Sequence, residues 1–378
     1  TMHHTRKRHP ALILVSVLIL SLFVTILAFL LHTPSFSSDT PPALPASESQ
    51  DAPMLTGTRK AGQYQFLLIG RDRASFCTDV MMLFTYDTAA QKLTCLQLPR
   101  DTYVSYAKAT RLNAVFAQGY MAAKKSGADA AQAERAGVEA LRDLISRQFG
   151  LPIDFTALLY LDTFASLVDQ LGGVRVDVPF AMHYDDPTQN LHIHLEPGVQ
   201  VLDGKAAEGF IRFRKTNQAG AVGYTMGDLG RVQVQKLFLA ALFGKIKELT
   251  PQTAVALAKT AITEVTTDLS AKDCVYFARH LLSLDSSALT MLTLPGWMGG
   301  GAYNLSRADT LSILNTYFAV YEAAYTTDTF DPGLAFCNQK AKDASAIYYG
   351  HGADPQIFDA KSLLENGFSD GELALHKH

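Results

Sequence analysis

Hydrophobic and polar positions follow two rhythms along residues 62–325, and these rhythms predict strands and helices in turn. Short apolar runs bounded by polar turns predict strands at 64–70, 80–86, 92–98, 154–161, 174–178 and 288–294. Apolar positions three to four residues apart predict helices at 111–124, 128–149, 163–171, 270–284 and 306–321. This order predicts an α/β fold with a mixed β-sheet flanked by helices, because the second and third strands form a hairpin.

The pattern near the N-terminus is of a different kind. Residues 11–31 form a 21-residue apolar run without charge or proline. At about 1.5 Å of rise per residue, such a helix crosses a hydrocarbon core of roughly 30 Å, so the run predicts a transmembrane helix. The run is too long for a usual signal-peptide core and no Ala-x-Ala site follows Leu31, which favours an uncleaved anchor.

Charge predicts the orientation of this anchor. Arg6, Lys7 and Arg8 precede the run, whereas no charged residue follows it until Asp39. The positive-inside tendency therefore places the N-terminus in the cytoplasm and the rest of the chain outside the cell membrane. The predicted organisation is a cytoplasmic segment at 1–10, a membrane helix at 11–31, a flexible Ser/Pro-rich stalk at 32–61, a globular domain at 62–325 and a weakly patterned tail at 326–378.

Composition excludes two classes of protein. Hydrophobic residues make up 48% of the chain and charged residues 18%, which is typical of a folded protein and excludes a disordered one. Of 33 Lys and Arg, three lie in the cytoplasmic segment, which leaves 30 against 36 Asp and Glu, a balance of −6. Such an acidic balance argues against nucleic-acid binding, which needs a basic face.

Spacings typical of metal sites are scarce. The cysteines, which are widely separated and form no metal-binding motif, are Cys77, Cys95, Cys274 and Cys337. They could pair outside the cell, or remain as free buried thiols. His192 and His194 face one side of a period-two segment, but the sequence shows no third ligand, so we expect solvent-facing histidines there.

Two carboxylates and an arginine suggest a site for a divalent cation beside a phosphate. Asp72 and Asp79 lie at opposite ends of a short loop between predicted strands, and Arg100 follows the next strand. Mg²⁺ takes one or two protein carboxylates and leaves its other positions for water and phosphate oxygens, while guanidinium groups bind phosphate in bidentate fashion. Alternatively, Asp72 makes an Asx turn and Asp79 caps the next element.

Further arginines follow in a regular pattern. Period-two spacing predicts that Arg212 and Arg214 share one face of a strand. After a predicted N-cap at Gly227-Asp228, Arg231 and Gln235 are spaced i and i+4 on one helical face. Isolated arginines are usually surface charges, but three arginines in this pattern beside a helix cap indicate an anion site.

These motifs, in this order, resemble the LytR-CpsA-Psr (LCP) family of bacterial cell-wall glycopolymer ligases over roughly 63–325. The resemblance rests on Leu68-Ile-Gly-x-Asp72, Thr78-Asp79, Leu98-Pro-Arg100-Asp101-Thr-Tyr-Val104, Arg111-Leu-Asn113, Leu171-Gly-Gly-Val174, Leu202-Asp-Gly204, Arg212-x-Arg214 and Gly227-Asp-x-Gly-Arg231 with Gln235. It implies a membrane-anchored transferase that moves a glycopolymer from a polyprenyl-pyrophosphate carrier onto a peptidoglycan hydroxyl, with the lipid in an apolar tunnel between sheet and helices.

The resemblance also implies roles for individual residues. Asp72 and Asp79 match the Mg²⁺ carboxylates, and the residues that match the pyrophosphate-binding set are Arg100, Arg111, Arg212, Arg214, Arg231 and Gln235. The residues expected to act in catalysis are Asp79, Arg100, Asp101 and Arg231. Either Asp79 or Asp101 could serve as the general base.

This chain departs from the family pattern in three ways. The loop between Asp72 and Asp79 is short, Cys77 stands where many members have arginine, and Val234 stands where another basic residue is common. Two other functions stay open: a hydrolase that cuts the lipid pyrophosphate with water, and a non-catalytic envelope regulator. The cytoplasmic part is too short for a helix-turn-helix, so direct control of DNA is not expected.

Overall fold

The computed structural model describes residues 32–36, 58–187, 191–218, 222–224, 228–250, 253, 257, 260, 263–326, 348–349, 357–368 and 375–377. The predicted cytoplasmic segment and membrane helix at 1–31 lie outside these residues. No helix among the described residues is both long enough and apolar enough to cross a lipid bilayer.

The described strands are β1 (Gln63–Arg71), β2 (Thr78–Asp87), β3 (Lys92–Gln97), β4 (Tyr103–Tyr106), β5 (Ala109–Arg111), β6 (Phe155–Tyr160), β7 (Val174–Val178), β8 (Met182–Asp186), β9 (Leu191–Leu195), β10 (Gly198–Leu202), β11 (Val222–Tyr224), β12 (Thr266–Thr267), β13 (Leu289–Thr293), β14 (Gly296–Gly299), β15 (Ala302–Leu305), β16 (Tyr348–Tyr349), β17 (Phe358–Asp359) and β18 (Leu375–Lys377). The described helices are α1 (Val115–Lys125), α2 (Ala130–Phe149), α3 (Leu161–Gln170), α4 (Gly204–Arg212), α5 (Asp228–Lys247), α6 (Ala271–Ser283), α7 (Arg307–Tyr317) and α8 (Ala360–Asn366).

The central sheet is mixed, as the sequence predicts. Its seven strands lie in the order β12-β6-β1-β2-β3-β13-β17. β1 pairs in parallel with β6 and β3 with β13, whereas β1, β2 and β3 form an antiparallel meander. The edge strand β17 comes from the predicted tail, and α8, which follows it, contacts α5.

The core lies between this sheet and the helices α1, α2 and α7. The central strand β1 contributes Leu67 and Ile69, and α1 contributes Phe116, all with no exposed surface. Capping sets the limits of α2: the Asp129 side chain accepts from the backbone N–H of Gln132, and Gly150 ends the helix in the left-handed region at φ 60°.

The helices α1 and α2 approach closely at Gly119. A Cβ added there would lie 2.5 Å from the carbonyl oxygen of Ala136 and 2.7 Å from the Cβ of Ala140. In contrast, a Cβ added at Gly244 in α5 would meet only the Leu364 side chain, at 3.9 Å.

We expect Gly119→Ala to lower the free energy of unfolding by about 1–3 kcal/mol, because the added methyl overpacks the contact between the helices. Gly244→Ala should instead raise it by about 0.5–1 kcal/mol, because alanine restricts the unfolded chain in an open helical position. Urea denaturation of both variants measures the difference, and equal effects would contradict the close packing of α1 on α2.

An ion pair connects the start of the folded domain to its centre. Arg59 donates to both carboxylate oxygens of Asp154 at 2.8 Å, and the side chains are 6% and 0% exposed. Asp154 also accepts from the backbone N–H of Gln65 in β1. On the other side, the backbone N–H of Lys60 donates to the Val320 carbonyl, so the chain enters the domain near the end of α7.

Residues 32–36 and 269–283 group as a unit separate from the rest of the described chain. In this unit, Asp273 accepts from the backbone and hydroxyl of Ser270 at the start of α6, and His32 Nε2 lies 2.7 Å from its other oxygen. These bonds satisfy the N-terminus of the helix.

The predicted strand at 212–214 is wrong. Arg212 is the last residue of α4, a helix that Asp203 caps by accepting from the N–H of Ala206. Ala207 and Phe210 are fully buried at helical spacing, and the helix stops only at Phe213, whose backbone (φ −56°, ψ 128°) is not helical. The helical spacing of buried apolar residues therefore decides the structure up to Arg212, rather than the alternation of Arg212 and Arg214.

Candidate functional site

Asp72 directly follows β1 and uses its two oxygens differently. One oxygen accepts from the backbone N–H of Ala74 at 2.9 Å, which is the Asx turn that the sequence allows. The other lies 3.4 Å from the Arg212 guanidinium, which also donates to Glu208 at 2.7 Å. The turn and the ionic contact therefore coexist.

Two arginines hold the loop after Asp72. Arg71 is 3% exposed, donates to the Ser75 carbonyl at 2.7 Å and lies 4.7 Å from the centre of the Phe116 ring. Arg73 pairs with Asp162 at 2.6 Å and stacks on the Tyr160 ring. These contacts fix the short loop that brings the chain to Asp79 at the start of β2.

Asp79 and Arg100 meet because β2 and β3 are neighbouring antiparallel strands. Arg100 lies in the turn after β3, where Thr102 donates to the Pro99 carbonyl, and its own carbonyl accepts from Asn113. Its guanidinium donates to an Asp79 oxygen at 2.7 Å. The predicted pair is therefore brought together.

Asp228 lies at the centre of the site, a position that sequence reasoning assigned only to a helix cap. One of its oxygens lies 2.7 Å from Arg231, 3.2 Å from Arg100 and 3.4 Å from Arg214. Asp228 is the first residue of α5, and Arg231 follows one turn later. The i, i+3 spacing of acid and arginine is the signal that could have identified it.

Arg231 connects Asp228 to Asp79. Its guanidinium donates to the Asp79 carbonyl oxygen at 3.2 Å and lies 3.8 Å from the Asp79 carboxylate, with the side chain 4% exposed. The site thus contains three guanidinium groups around Asp228, namely those of Arg100, Arg214 and Arg231, with Arg212 on the nearby Asp72.

Burial and the neighbouring carboxylates have opposite effects on the pKa values of Arg100 and Arg231. Burial lowers the pKa of Arg231, and neighbouring Asp228 only partly offsets this effect. Burial also acts to lower the pKa of Arg100, but the carboxylates of Asp228 and Asp79 outweigh it and raise that pKa above its usual value. The neighbouring acids therefore oppose the effect of burial on the pKa values of both Arg100 and Arg231.

Several polar atoms of this cluster have unused bonding capacity. Both oxygens of Asp228 and the Nε atoms of Arg100 and Arg231 are buried, yet no described residue forms a hydrogen bond of good geometry with them. Buried polar atoms of this kind are rare in folded proteins unless a ligand, ion or water satisfies them. The arrangement is consistent with a binding site for an anion and a cation.

Formal charge supports a site for both ions. The guanidinium groups of Arg100, Arg212, Arg214 and Arg231 face four carboxylates, Asp72, Asp79, Asp228 and Glu208, so the charges cancel. A diphosphate would add uncompensated negative charge, which a divalent cation on Asp72 and Asp79 would neutralise. Carboxylate oxygens are ligands that Mg²⁺ prefers, so Asp72 and Asp79 fit this ion by their chemistry.

Gln235 occupies a different position from the arginines. Its oxygen accepts from Gln97 at 2.7 Å, its amide nitrogen donates to the Ile211 carbonyl at 3.0 Å, and the residue is 6% exposed. Both ends of the amide therefore join β3, α4 and α5. Its contact with a pyrophosphate stays a prediction.

Arg111 and Asp101 form a separate pair on β5 and the turn before β4. Arg111 lies 3.5 Å from Asp101 and donates to the Gly301 carbonyl at 2.9 Å, with its side chain 48% exposed. Asp101 nevertheless contributes to the raised pKa of Arg100, after Asp228 and Asp79. This pair lies outside the group of arginines around Asp228.

Cys77 and Val234, where the chain departs from the family pattern, differ in burial. Val234 is fully buried in α5, and Cys77 is partly exposed in the loop before Asp79. Cys77, Cys95 and Cys274 are free thiols, and burial raises the pKa of Cys95 far above its usual value. Cys337 lies outside the described residues.

Comparison with known proteins identifies relatives of this chain. The profile of the LytR_cpsA_psr family matches residues 35–319. The chain is 26% identical over 175 residues to the polyisoprenyl-teichoic acid–peptidoglycan teichoic acid transferase TagV of Bacillus subtilis. It is 32% identical over 167 residues to the probable cell wall biosynthesis protein LcpB of Corynebacterium glutamicum, and 26% over 208 residues to the regulatory protein MsrR of Staphylococcus aureus.

These alignments are partial. They cover 45%, 44% and 53% of this chain and 39%, 33% and 54% of the three relatives, respectively. The chain therefore matches between a third and about half of the length of each relative.

Solved structures share the fold. The B. subtilis TagV crystal structure superposes with a TM-score of 0.55 at 20% identity, covering 70% of this chain and 100% of that one. A LytR-Csp2A-Psr enzyme from Actinomyces oris gives 0.54 at 21% identity, covering 75% and 97%. The mixed sheet with flanking helices is thus confirmed.

Proposed function

The chain belongs to the LytR_cpsA_psr family, and from that premise we propose that it is an extracytoplasmic phosphotransferase. It would move a glycopolymer from a polyprenyl-pyrophosphate carrier to a peptidoglycan hydroxyl and leave a phosphodiester bond. Two relatives have names that state a teichoic acid transferase activity, which supports this reaction class.

One observation carries the proposal: guanidinium groups from three separate segments meet at Asp228 and Asp79. Arg100 comes from the turn after β3, Arg214 from the coil after α4 and Arg231 from α5. Guanidinium groups that converge from distant segments offer several charge-assisted donors to an anionic ligand. A diphosphate matches both the charge and the bidentate geometry of arginine.

The proposed reaction has three parts. The acceptor hydroxyl oxygen attacks the phosphorus next to the glycopolymer, the bond from that phosphorus to the bridging oxygen breaks, and polyprenyl phosphate leaves. Arg100, Arg214 and Arg231 would stabilise the charge on the phosphoryl oxygens and the leaving group. The hydroxyl proton would pass to Asp79 or Asp101, and both remain candidates.

We propose Asp72 and Asp79 as the carboxylates that hold a Mg²⁺ ion. When bound, the ion would supply positive charge to the phosphate oxygens. Arg212 orients Asp72 through its contact at 3.4 Å, and Arg100 orients Asp79 through its contact at 2.7 Å.

We place the lipid along the side of α1 that faces the loop after Asp72. Phe76, in the loop between Asp72 and Asp79, is 43% exposed and packs on Tyr120 of α1 at 5.1 Å between ring centres. An exposed aromatic side chain in this loop suits a ligand with a charged head and an apolar tail. Such a ligand would be supplied in the membrane in which residues 11–31 are proposed to anchor the chain.

Purified lipid-linked donor, offered with and without a peptidoglycan acceptor, tests the reaction. We expect polymer-linked peptidoglycan and polyprenyl phosphate to form together, and only when acceptor is present. Release of polyprenyl phosphate at the same rate without acceptor would identify a hydrolase instead. Binding of donor with no turnover in either mixture would favour a non-catalytic role, which the name of the relative MsrR suggests for that protein.

A further inference from the structure

A second group of possible metal ligands lies on the ribbon formed by β8 and β9. The strands are antiparallel, with His183 opposite His194 and Asp185 opposite His192. Because side chains alternate across a strand, these four share one face of the ribbon. Met182, Ile193 and Leu195 on the other face are 0%, 2% and 6% exposed.

The structure supplies the third ligand that the sequence did not reveal. Asp185 comes from β8, and one of its oxygens lies 2.6 Å from His192 Nδ1 and 3.1 Å from His194 Nε2. One ligand atom from each of the three residues can be chosen so that all lie within 4.8 Å of one another. Tetrahedral zinc, with bonds of about 2.0–2.1 Å, places its ligand atoms roughly 3.3 Å apart, so small side-chain rotations suffice.

Neighbouring side chains are placed to orient His194. Its other nitrogen, Nδ1, lies 3.5 Å from His183 Nδ1, and His183 Nε2 lies 3.4 Å from a Glu196 oxygen. If His194 binds a metal through Nε2, its Nδ1–H can donate to His183, which in turn can donate to Glu196. Metal-bound histidines are commonly fixed by such a partner on the second nitrogen.

We propose that Asp185, His192 and His194 bind a zinc-class divalent cation, with His183 and Glu196 orienting the His194 ligand. Two imidazoles and one carboxylate favour Zn²⁺ over Mg²⁺, which prefers oxygen ligands. A fourth position is left for water or a further ligand.

The site would act on the ribbon as a cross-link. A bound cation joins β8 to β9 from the solvent side, while the opposite face of β9 packs on α4, where Ile193 contacts the region of Gly209. The same helix ends at Arg212, which faces Asp72. Cation binding would thus stabilise the ribbon on which α4 packs, and α4 carries Arg212. The cation would make no contact with the phosphate site itself.

The test measures Zn²⁺ binding to the full chain, purified in detergent without a histidine tag, by competition with a chromophoric chelator. We expect one saturable site per chain that millimolar Mg²⁺ does not compete for. Replacing a direct ligand, as in His192→Ala, His194→Ala or Asp185→Asn, should weaken binding by more than the roughly 10–100-fold typical of an outer partner, and His183→Ala or Glu196→Gln should fall within that range.

Two controls locate the site. His280→Ala removes a histidine elsewhere and should leave Zn²⁺ affinity unchanged, as should Asp79→Asn in the phosphate site. The absence of saturable binding, equal competition by Mg²⁺, or an affinity that survives both His192→Ala and His194→Ala would overturn the proposal. Because the readout is binding, none of these results depends on the transferase activity.

Discussion

Replacing Arg100 or Arg231 by alanine is expected to lower kcat/KM for transfer by at least about 10²-fold, the effect typical of removing one preorganised donor from a transition-state charge. Arg100 contacts both Asp79 and Asp228, and Arg231 is 4% exposed between the same two acids. Each substitution removes a positive charge from the proposed diphosphate site and leaves Asp79 and Asp228 with fewer counter-charges. Initial rates with purified lipid-linked donor and acceptor measure the effect.

The matched control is Arg175→Ala, which removes an exposed arginine from β7 and should leave the rate unchanged. Because burial makes Arg231→Ala a risk for folding, Arg214→Ala provides an independent variant whose side chain is 44% exposed. We expect Arg214→Ala to fold normally and to lose transfer activity. A folded Arg214→Ala or Arg100→Ala with full activity would contradict the assignment of this cluster to the diphosphate.

Removal of divalent cations by EDTA is expected to stop transfer, and added Mg²⁺ is expected to restore it. The physical reason is the balance of charge: four guanidinium groups already face four carboxylates, so a bound diphosphate needs further positive charge. Transfer assays after dialysis against chelator, followed by titration with Mg²⁺, give the dependence directly.

EDTA would also strip a cation from Asp185, His192 and His194, so the two sites have to be separated. His192→Ala should keep the Mg²⁺ dependence of transfer, whereas Asp79→Asn should lose activity at every Mg²⁺ concentration. Full transfer by the wild-type chain in excess chelator would remove the cation from the proposed mechanism.

Elements with strong local signals were predictable from the sequence. The meander from β1 to β3 follows from three apolar runs joined by short polar turns, and the end of α2 follows from Gly150, which takes the left-handed conformation at φ 60°. The convergence of Arg100 on Asp79 also follows, because hairpin geometry places the turn after β3 near the start of β2.

Contacts between distant segments were not predictable in the same way. The sequence predicts only a helix cap at Asp228, because no local pattern shows that the turn after β3 and the coil after α4 both reach it. The sequence does not reveal Asp185 as a third metal ligand. Its position opposite His192 depends on the register in which β8 pairs with β9. The alternation of Arg212 and Arg214 predicts a strand after a short helix that opens near Gly204, whereas in the structure this helix continues as far as Arg212.

The buried pair of Arg59 and Asp154 has a mechanical consequence. Any tension transmitted along the preceding segment enters the domain at Arg59 and passes to Asp154, next to the central strands, through two bonds of 2.8 Å. Breaking such a buried pair costs about 3–5 kcal/mol, so the attachment point resists being peeled away. The pair therefore fastens the start of the domain to the central strands at a point that is separate in sequence from the turn and helix ends that carry Arg100, Arg212 and Arg231.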